Sequence, residues 1–166
     1  MKLHEKLFAE GDDYLIQERV TMAFEKYREG LRRLNEAYGE GSEESAYCFM
    51  QKQTELLKIA DRAISSAHAP VEVDFPLKVY EKILSFHLPS SSFFEPKTKI
   101  KILNKIACCL RRLQRVDDGI VEVNKAIKLC NLYNLNGGES YSNLAVFLSE
   151  KGLHNKAFST SEQAII

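Results

Sequence analysis

The side chains best suited to metal binding and acid–base catalysis are widely scattered in this sequence. Zinc sites and hydrolytic centres need histidine, cysteine or carboxylate groups at short, fixed spacings, as in H-E-x-x-H. No such spacing occurs, and neither a glycine-rich phosphate loop nor a G-x-S-x-G motif is present. The four histidines are His4, His68, His87 and His154. We therefore expect surface or helix-capping histidines, no catalytic residues, no bound metal and no cofactor.

Two pairs of adjacent aspartates are the remaining candidates for acid–base work. They are Asp12–Asp13 and Asp117–Asp118, and both fall near predicted helix boundaries. Aspartate is favoured there because its carboxylate can accept free backbone N–H groups. Helix capping and solvated turns therefore explain these pairs better than catalysis, and the chain is not expected to be an enzyme.

The cysteines and the apolar segments indicate the cellular compartment. The four cysteines, Cys48, Cys108, Cys109 and Cys130, show no C-x-x-C spacing. Reduced, unpaired thiols are typical of cytosolic proteins. The first thirteen residues are charged, and no run approaches the ~20 apolar residues of a membrane span. We expect a soluble cytoplasmic protein without membrane insertion.

Long segments with helical periodicity lie between a few clusters of glycine and proline. Gly39 and Gly41 end one such segment, and residues 88–92 form the clearest loop. Asp74 is expected to cap the fourth helix, with Pro76 near its start. No segment shows the sustained alternation of a strand. The sequence predicts an all-α fold with helices at about residues 2–16, 19–38, 42–67, 75–87, 96–113, 117–133, 139–151 and 154–166.

One set of large and small residues recurs without gaps at steps of three, one, three, nine, four and three. The first copy is Leu7, Glu10, Gly11, Tyr14, Ala23, Tyr27 and Gly30. The second is Leu103, Ile106, Ala107, Leu110, Gly119, Val123 and Ala126. The third is Tyr141, Leu144, Ala145, Leu148, Ala157, Ser161 and Ala164. Such self-similarity is typical of repeat proteins.

This pattern resembles the tetratricopeptide repeat (TPR), W-x2-L-G-x2-Y followed by A-x3-F and a second small residue. The resemblance implies an α-α superhelix, a solenoid of about four helix pairs forming a single array over residues 1–166. Repeats are expected at about 4–38, 42–88, 97–134 and 138–166. The residues expected to carry the repeat packing are Gly11, Tyr14, Ala23, Tyr27, Ala107, Leu110, Ala126, Leu144, Ala145, Ala157 and Ala164.

The sequence departs from the family pattern in several places. Glu10 stands where a large apolar residue is usual, and Ser161 stands where an aromatic residue is usual. Residues 42–88 match only as a degenerate, elongated helix pair. A generic helical bundle with coincidental small residues therefore remains an alternative.

A second alternative concerns only the first three helices. They could form a three-helix module that resembles a microtubule-interacting and trafficking domain and binds short helical tails. Such modules carry a similar second helix, here represented by Ala23, Tyr27 and Leu31. A fragment that stops at Ala67 should fold and bind alone if this alternative is correct.

By the same resemblance to TPR proteins, the first helices of successive pairs line a groove that binds partner peptides. The residues expected to line it are Lys101, Asn104, Lys105, Cys108, Arg111, Arg112, Ser142, Asn143, Val146 and Ser149. Residues 97–128 carry nine basic and three acidic side chains. A basic groove would attract an acidic peptide. The alternative is that these charges are simply solvated.

The expected function is thus a scaffold or adaptor that binds protein partners in a larger intracellular assembly. Nucleic acid is not expected, because the net charge is zero and no aromatic side chains alternate with the bases. Chaperone tails are not expected either. The family members that bind them use Lys and Asn at two places that hold Phe8 and Asp12 here.

The last predicted helix ends in Ile165 and Ile166, without the polar capping helix that usually closes a solenoid. We expect this end to continue into a longer solenoid; the alternative is a partner that covers it.

Overall fold

Residues 1–165 are described by the computed structural model, and eight α-helices account for most of them. No strand occurs in this part of the chain. The helices are α1 (Leu3–Ile16), α2 (Val20–Tyr38), α3 (Glu43–Ser66), α4 (Pro70–Leu84), α5 (Pro96–Arg112), α6 (Val116–Leu132), α7 (Gly138–Glu150) and α8 (His154–Ile165). The all-α prediction is confirmed. The expectation placed on Ile166 lies outside the described residues.

The fourth helix begins earlier than the sequence predicted, at Pro70 rather than at residue 75. Pro70 occupies the first turn, where its missing N–H is no loss. The Glu72 carboxylate accepts the backbone N–H of His68 at 2.6 Å. Asp74, the expected cap, instead lies inside the helix. The prediction was wrong because Pro76 was taken as a boundary, whereas α4 carries this buried proline in its interior.

Three helix pairs, α1–α2, α5–α6 and α7–α8, turn in the same way. Each turn contains one left-handed residue: Glu18 (φ 57°), Gln114 (φ 59°) and Gly152 (φ 77°). In each, the following N–H donates to a carbonyl five residues earlier, from Arg19 to Tyr14 (2.9 Å), Arg115 to Leu110 (2.8 Å) and Leu153 to Leu148 (2.9 Å). The turns are separated by the same two intervals as the three copies of the sequence repeat.

The helices pack in the order in which they occur in the chain. Within residues 1–165, substantial contacts join each helix to the next, and they also join α2 to α4 and α5 to α7. The α3–α4 pair, which lacks the sequence repeat, lies between the pairs that have it. This arrangement is typical of helical hairpins stacked side by side, because each pair then meets only its neighbours.

The largest apolar cluster runs through α1 to α5. It unites Phe24 and Tyr27 of α2 with Tyr80 of α4 and Ile106 of α5, all of which are almost fully buried. A separate cluster joins α5, α6 and α7 around Phe147. Successive pairs therefore share their cores, and no single pair encloses its own apolar side chains.

Small residues permit this close approach at two contacts between helices. A methyl group added at Gly11 would stand 2.4 Å from Tyr27 Cε1, and one at Gly119 would stand 2.5 Å from Phe147 Cζ. Both distances are far below a normal carbon–carbon contact of about 3.5–4.0 Å. Among the other residues expected to carry the repeat packing, Ala23, Ala107, Leu110, Ala126, Ala145 and Ala157 are buried, whereas Tyr14, Leu144 and Ala164 are half-buried.

Candidate functional site

The first helices of the four pairs, α1, α3, α5 and α7, are joined side by side through polar contacts and form what we call the first-helix face. The contact between α1 and α3 centres on Asp12. The Tyr27 hydroxyl donates to Asp12 Oδ1 at 2.7 Å, and Lys52 Nζ lies 3.0 Å from the same oxygen. Lys52 also stands 5.3 Å from the Tyr27 ring centroid, within the range of a cation–π contact.

The same arrangement recurs between α3 and α5. The Tyr80 hydroxyl of α4 donates to Asp61, and Lys105 Nζ of α5 lies 2.6 Å from Asp61 Oδ1. Lys105 stands 5.7 Å from the Tyr80 ring centroid. Each bridge thus combines a carboxylate on the first helix of a pair, a tyrosine on the second helix of the same pair, and a lysine on the first helix of the following pair. We call them the carboxylate–tyrosine–lysine bridges.

The electrostatics of the bridges follow from partial burial and hydrogen bonding. Burial alone would raise the pKa of the Asp61 carboxyl, but hydrogen bonds from Lys105 and Tyr80 outweigh it, and the pKa lies below its usual value. Burial, reinforced by the aspartate partners, raises the pKa of the Tyr27 and Tyr80 hydroxyls. The two tyrosines therefore remain neutral donors, and the Asp61 carboxylate remains charged.

Several of the cations expected in the groove have partners within the protein. Lys105 belongs to the second bridge. Arg112 donates to the carbonyl oxygens of Ile64 (2.7 Å) and Ala67 (2.5 Å), and so satisfies free carbonyls at the end of α3. Arg111 pairs with Glu150 at 2.6 Å. These three side chains therefore already have partners within the protein.

A buried polar contact joins α5 to α7. Asn104 is 1% exposed, and its Nδ2 donates to Ser140 Oγ at 3.0 Å. Asn143 Nδ2 donates in turn to Asn104 Oδ1 at 3.2 Å. Because a buried amide must be hydrogen-bonded to be tolerated, this contact fixes the register of the two helices. Asn104 was expected to line the groove, but the structure places it beneath the surface.

Four exposed cations on α3 and α5 form neither an ion pair nor a side-chain hydrogen bond with any residue in the described range 1–165. They are Lys58 and Arg62 on α3, and Lys97 and Lys101 on α5. Most of the groove residues expected from the sequence are exposed, namely Lys101, Cys108, Arg111, Arg112, Ser142, Val146 and Ser149. Lys101 is thus an unpaired cation that the sequence had placed in the groove. Lys58, Arg62 and Lys97 are unpaired cations that it had not placed there.

Two clefts lie beside these cations. The first, of 530 Å³, runs between α1 and α3. Its lining consists of the cations Lys58 and Arg62, the apolar side chains of Leu15, Ile16 and Ile59, and the carboxylates of Asp12 and Glu55. The second, of 400 Å³, lies between α5 and the start of α7, and its lining includes Lys97, Lys101 and Lys105 together with the acidic Glu139. Ile16 is 82% exposed and Ile59 is 37% exposed. Apolar side chains are therefore open to solvent next to unpaired positive charge.

Sequence reasoning missed the contribution of α3. Ile59 and Arg62 stand on the open side of that helix, whose other side buries Leu56 and Ala60. The spacing of Leu56 and Ala60 marks the buried side, and it could have indicated the open one. It was overlooked because α3 does not follow the repeat from which the groove was inferred.

No protein-family model and no curated protein matches this chain. Among residues 1–165, no three histidine, cysteine or acidic side chains are grouped so that they could hold a metal ion. In the same range, none of the helices combines the length and the apolar character needed to cross a bilayer.

Proposed function

We propose that this chain is a cytoplasmic protein-interaction scaffold of the TPR type. In this proposal, about four helix pairs form a superhelix, and the first-helix face binds acidic segments of partner proteins. Two features support the superhelix. Three pairs share one turn geometry, and the carboxylate–tyrosine–lysine bridges join α1 to α3 and α3 to α5 in the same way.

The observation that carries the binding proposal is the set of four unpaired cations beside the two open clefts. A charge without an internal partner does not contribute to holding the fold together, so it is free to attract a ligand. Cations on α3 and α5 lie on neighbouring helices, so one bound segment could meet both. Exposed Ile16 and Ile59 add an apolar contact at the same place.

The chemistry of this surface defines the ligand. It would be a segment with two or more carboxylates and at least one apolar side chain, so that the carboxylates meet Lys58, Arg62 and Lys101 while the apolar group enters the cleft beside Ile59. Exposed charge pairs contribute more to association rate and selectivity than to affinity. Binding should therefore weaken markedly as ionic strength rises.

The experiment compares two charge-reversal variants of the full chain. Lys58→Glu with Lys101→Glu changes the first-helix face. Lys128→Glu with Lys156→Glu makes the same change in charge at exposed, unpaired lysines on α6 and α8. Peptides selected from a displayed library by the unaltered chain are measured by fluorescence anisotropy at low and at physiological ionic strength, and circular dichroism checks that each variant is folded.

We expect the selected peptides to be acidic and to lose at least about tenfold in affinity with the first variant but not with the second, because two attractive contacts become repulsive. If both variants bind equally well, or if the selected peptides carry no excess of acidic residues, the first-helix face is not the binding site.

A further inference from the structure

The loop between α6 and α7 contains the one asparagine of this chain that is followed by glycine, Asn136–Gly137. In such a pair the backbone nitrogen of the glycine can attack the asparagine side chain, because no Cβ on the glycine obstructs it. The new bond joins Gly137 N to Asn136 Cγ, the Cγ–Nδ2 bond breaks, and the amide proton leaves with the side-chain nitrogen as ammonia. Water then opens the resulting cyclic succinimide to aspartate or isoaspartate.

The attacking nitrogen is free in this structure. Gly137 immediately precedes α7, and its N–H donates to no acceptor within residues 1–165. Because a succinimide nitrogen carries no hydrogen, ring closure at this position costs the fold no hydrogen bond. Asn136 itself is exposed, so water has access to the ring.

The carbonyl group under attack is held and polarised by the backbone. The N–H of Gly138 donates to Asn136 Oδ1 at 2.7 Å, the hydrogen bond of an Asx-turn. This bond would stabilise the negative charge that develops on Oδ1 during the attack, as the donors of an oxyanion hole do. The Sγ atom of Cys130 donates to the backbone carbonyl oxygen of Asn136 and helps to fix the backbone beside the reacting atoms.

Asn134 supplies a comparison within the same loop. It is also exposed, but the residue after it is Leu135, whose N–H donates to the carbonyl oxygen of Cys130 at 2.8 Å. Attack on Asn134 would break that hydrogen bond and would bring a branched side chain against the ring. The structure therefore favours the reaction at Asn136 and opposes it at Asn134.

The product would lie in the second of the two clefts. Asn136 lines this cleft together with Lys97 and Lys101, both of which are unpaired within residues 1–165. Glu139 lines the same cleft and already places one negative charge there. A second carboxylate, at position 136, would also be favoured by the N-terminal end of α7. The fold thus accommodates the product, and the cleft loses positive charge.

We propose that Asn136–Gly137 is a site of spontaneous deamidation in the folded protein, and that the carboxylate it forms lowers the affinity of the second cleft for acidic ligands. The effect on binding rests on the proposed function of the first-helix face. The modification itself does not, so the two can be tested separately.

The first experiment incubates the full chain in mildly alkaline buffer, either folded or unfolded by urea. Peptide mass spectrometry measures the conversion of each asparagine, and electron-transfer fragmentation separates aspartate from isoaspartate. We expect both products at position 136, because water can open the ring at either carbonyl group. The folded chain should react at least as fast as the unfolded one, and Asn134 should stay unmodified in it. An Asn136→Gln variant should also stay unmodified, because the longer side chain would have to form a larger ring.

Two results would overturn the assignment of this site. Aspartate formed without isoaspartate would exclude the succinimide route. A slower reaction at Asn136 in the folded chain than in urea would show that the native loop obstructs the attack.

The second experiment measures the binding of acidic peptides selected by the unaltered chain. Asn136→Asp places the product carboxylate in the cleft. Asn134→Asp adds the same charge in the same loop but outside that cleft, and its left-handed backbone (φ 52°) is one that aspartate also tolerates. At low ionic strength we expect Asn136→Asp to bind about two- to fivefold more weakly, the range for one exposed charge pair. The control should bind as the unaltered chain does.

Equal binding by the two variants would overturn the effect on the cleft, even if acidic peptides bind. If the unaltered chain selects no acidic peptides, the proposed function and this effect both fail, while the mass spectra still decide the modification.

Discussion

Adding one methyl group at Gly119 tests whether α6 and α7 are as closely packed as the structure shows. The new Cβ would lie 2.5 Å from Cζ and 2.6 Å from Cε1 of Phe147. The Phe147 ring is 1% exposed and packs against Ala107 and Val123, so it has little room to move. Overpacking of this kind costs about 1–3 kcal/mol.

An opposing effect must be subtracted. Alanine is favoured over glycine inside a helix by about 1 kcal/mol, and Gly119 lies within α6. We therefore expect the Gly119→Ala variant to be destabilised by about 1 kcal/mol in net terms, since the overpacking term is the larger. For a protein of this size, that change lowers the melting temperature by about 2–4 °C.

The assay is thermal and urea unfolding followed by circular dichroism. Gly30→Ala is the matched control, because its Cβ would lie 2.6 Å from Cε1 of Phe8, a half-buried ring that can turn toward solvent. The control should be neutral or slightly stabilised. If Gly119→Ala is as stable as the control, the close packing is refuted. It is also refuted if Gly119→Ala costs the same unfolding free energy when Phe147 is replaced by leucine.

Three further predictions concern charge and domain organisation. Burial lowers the pKa of His87 below its usual value of about 6.5, so the unfolded chain binds the proton more readily. The stability that depends on neutral His87 should be fully present above that pH and should be lost as the pH falls below it. In urea titrations, His87→Gln should make the free energy of unfolding less dependent on pH in this range. Lys105→Met should cost about 0.5–1 kcal/mol by loss of its half-exposed ion pair, whereas Lys101→Met should be neutral in the same titrations. A fragment of residues 1–67 should lack cooperative thermal unfolding, because it exposes the buried Phe24; a well-folded fragment that binds helical tails would favour the three-helix alternative.

The sequence predicted the helices well where local signals mark their ends. Seven of the eight helices begin within one or two residues of the expected position. Glycines such as Gly39 and the left-handed residues in the turns interrupt the helical hydrogen bonding by themselves, and no distant contact is needed. The start of α4 was misplaced because Pro76, which a local pattern marks as a helix boundary, lies buried in the interior of the helix.

The pairing of the cations could not be predicted from the sequence. Lys101 and Lys105 are four residues apart on one helix, and both looked equally free. Which of them meets a carboxylate depends on Asp61 of α3, a residue outside the recognised repeat. Arg112 is likewise occupied by carbonyl groups at the end of α3. Local sequence placed these residues on a helix, but their partners are set by how the pairs stack.

The α3–α4 pair contacts the helices on both sides of it, although its sequence does not follow the repeat. It lacks the spacing of small residues found in the other pairs. The turn between α3 and α4 contains no left-handed residue, whereas each of the other three turns contains one. It does carry both halves of the carboxylate–tyrosine–lysine bridges, because α3 supplies Lys52 to α1 and Asp61 to α5. Removing a lysine from one bridge leaves a partly buried aspartate with only its tyrosine as donor. The bridges thus add polar contacts on either side of α3, whose buried Leu56 and Ala60 pack in the largest apolar cluster. Because each half-exposed ion pair contributes at most about 1 kcal/mol, loss of both Lys52 and Lys105 should lower the free energy of unfolding by about 1–2 kcal/mol while α3 remains packed, and urea titrations followed by circular dichroism would show a single transition.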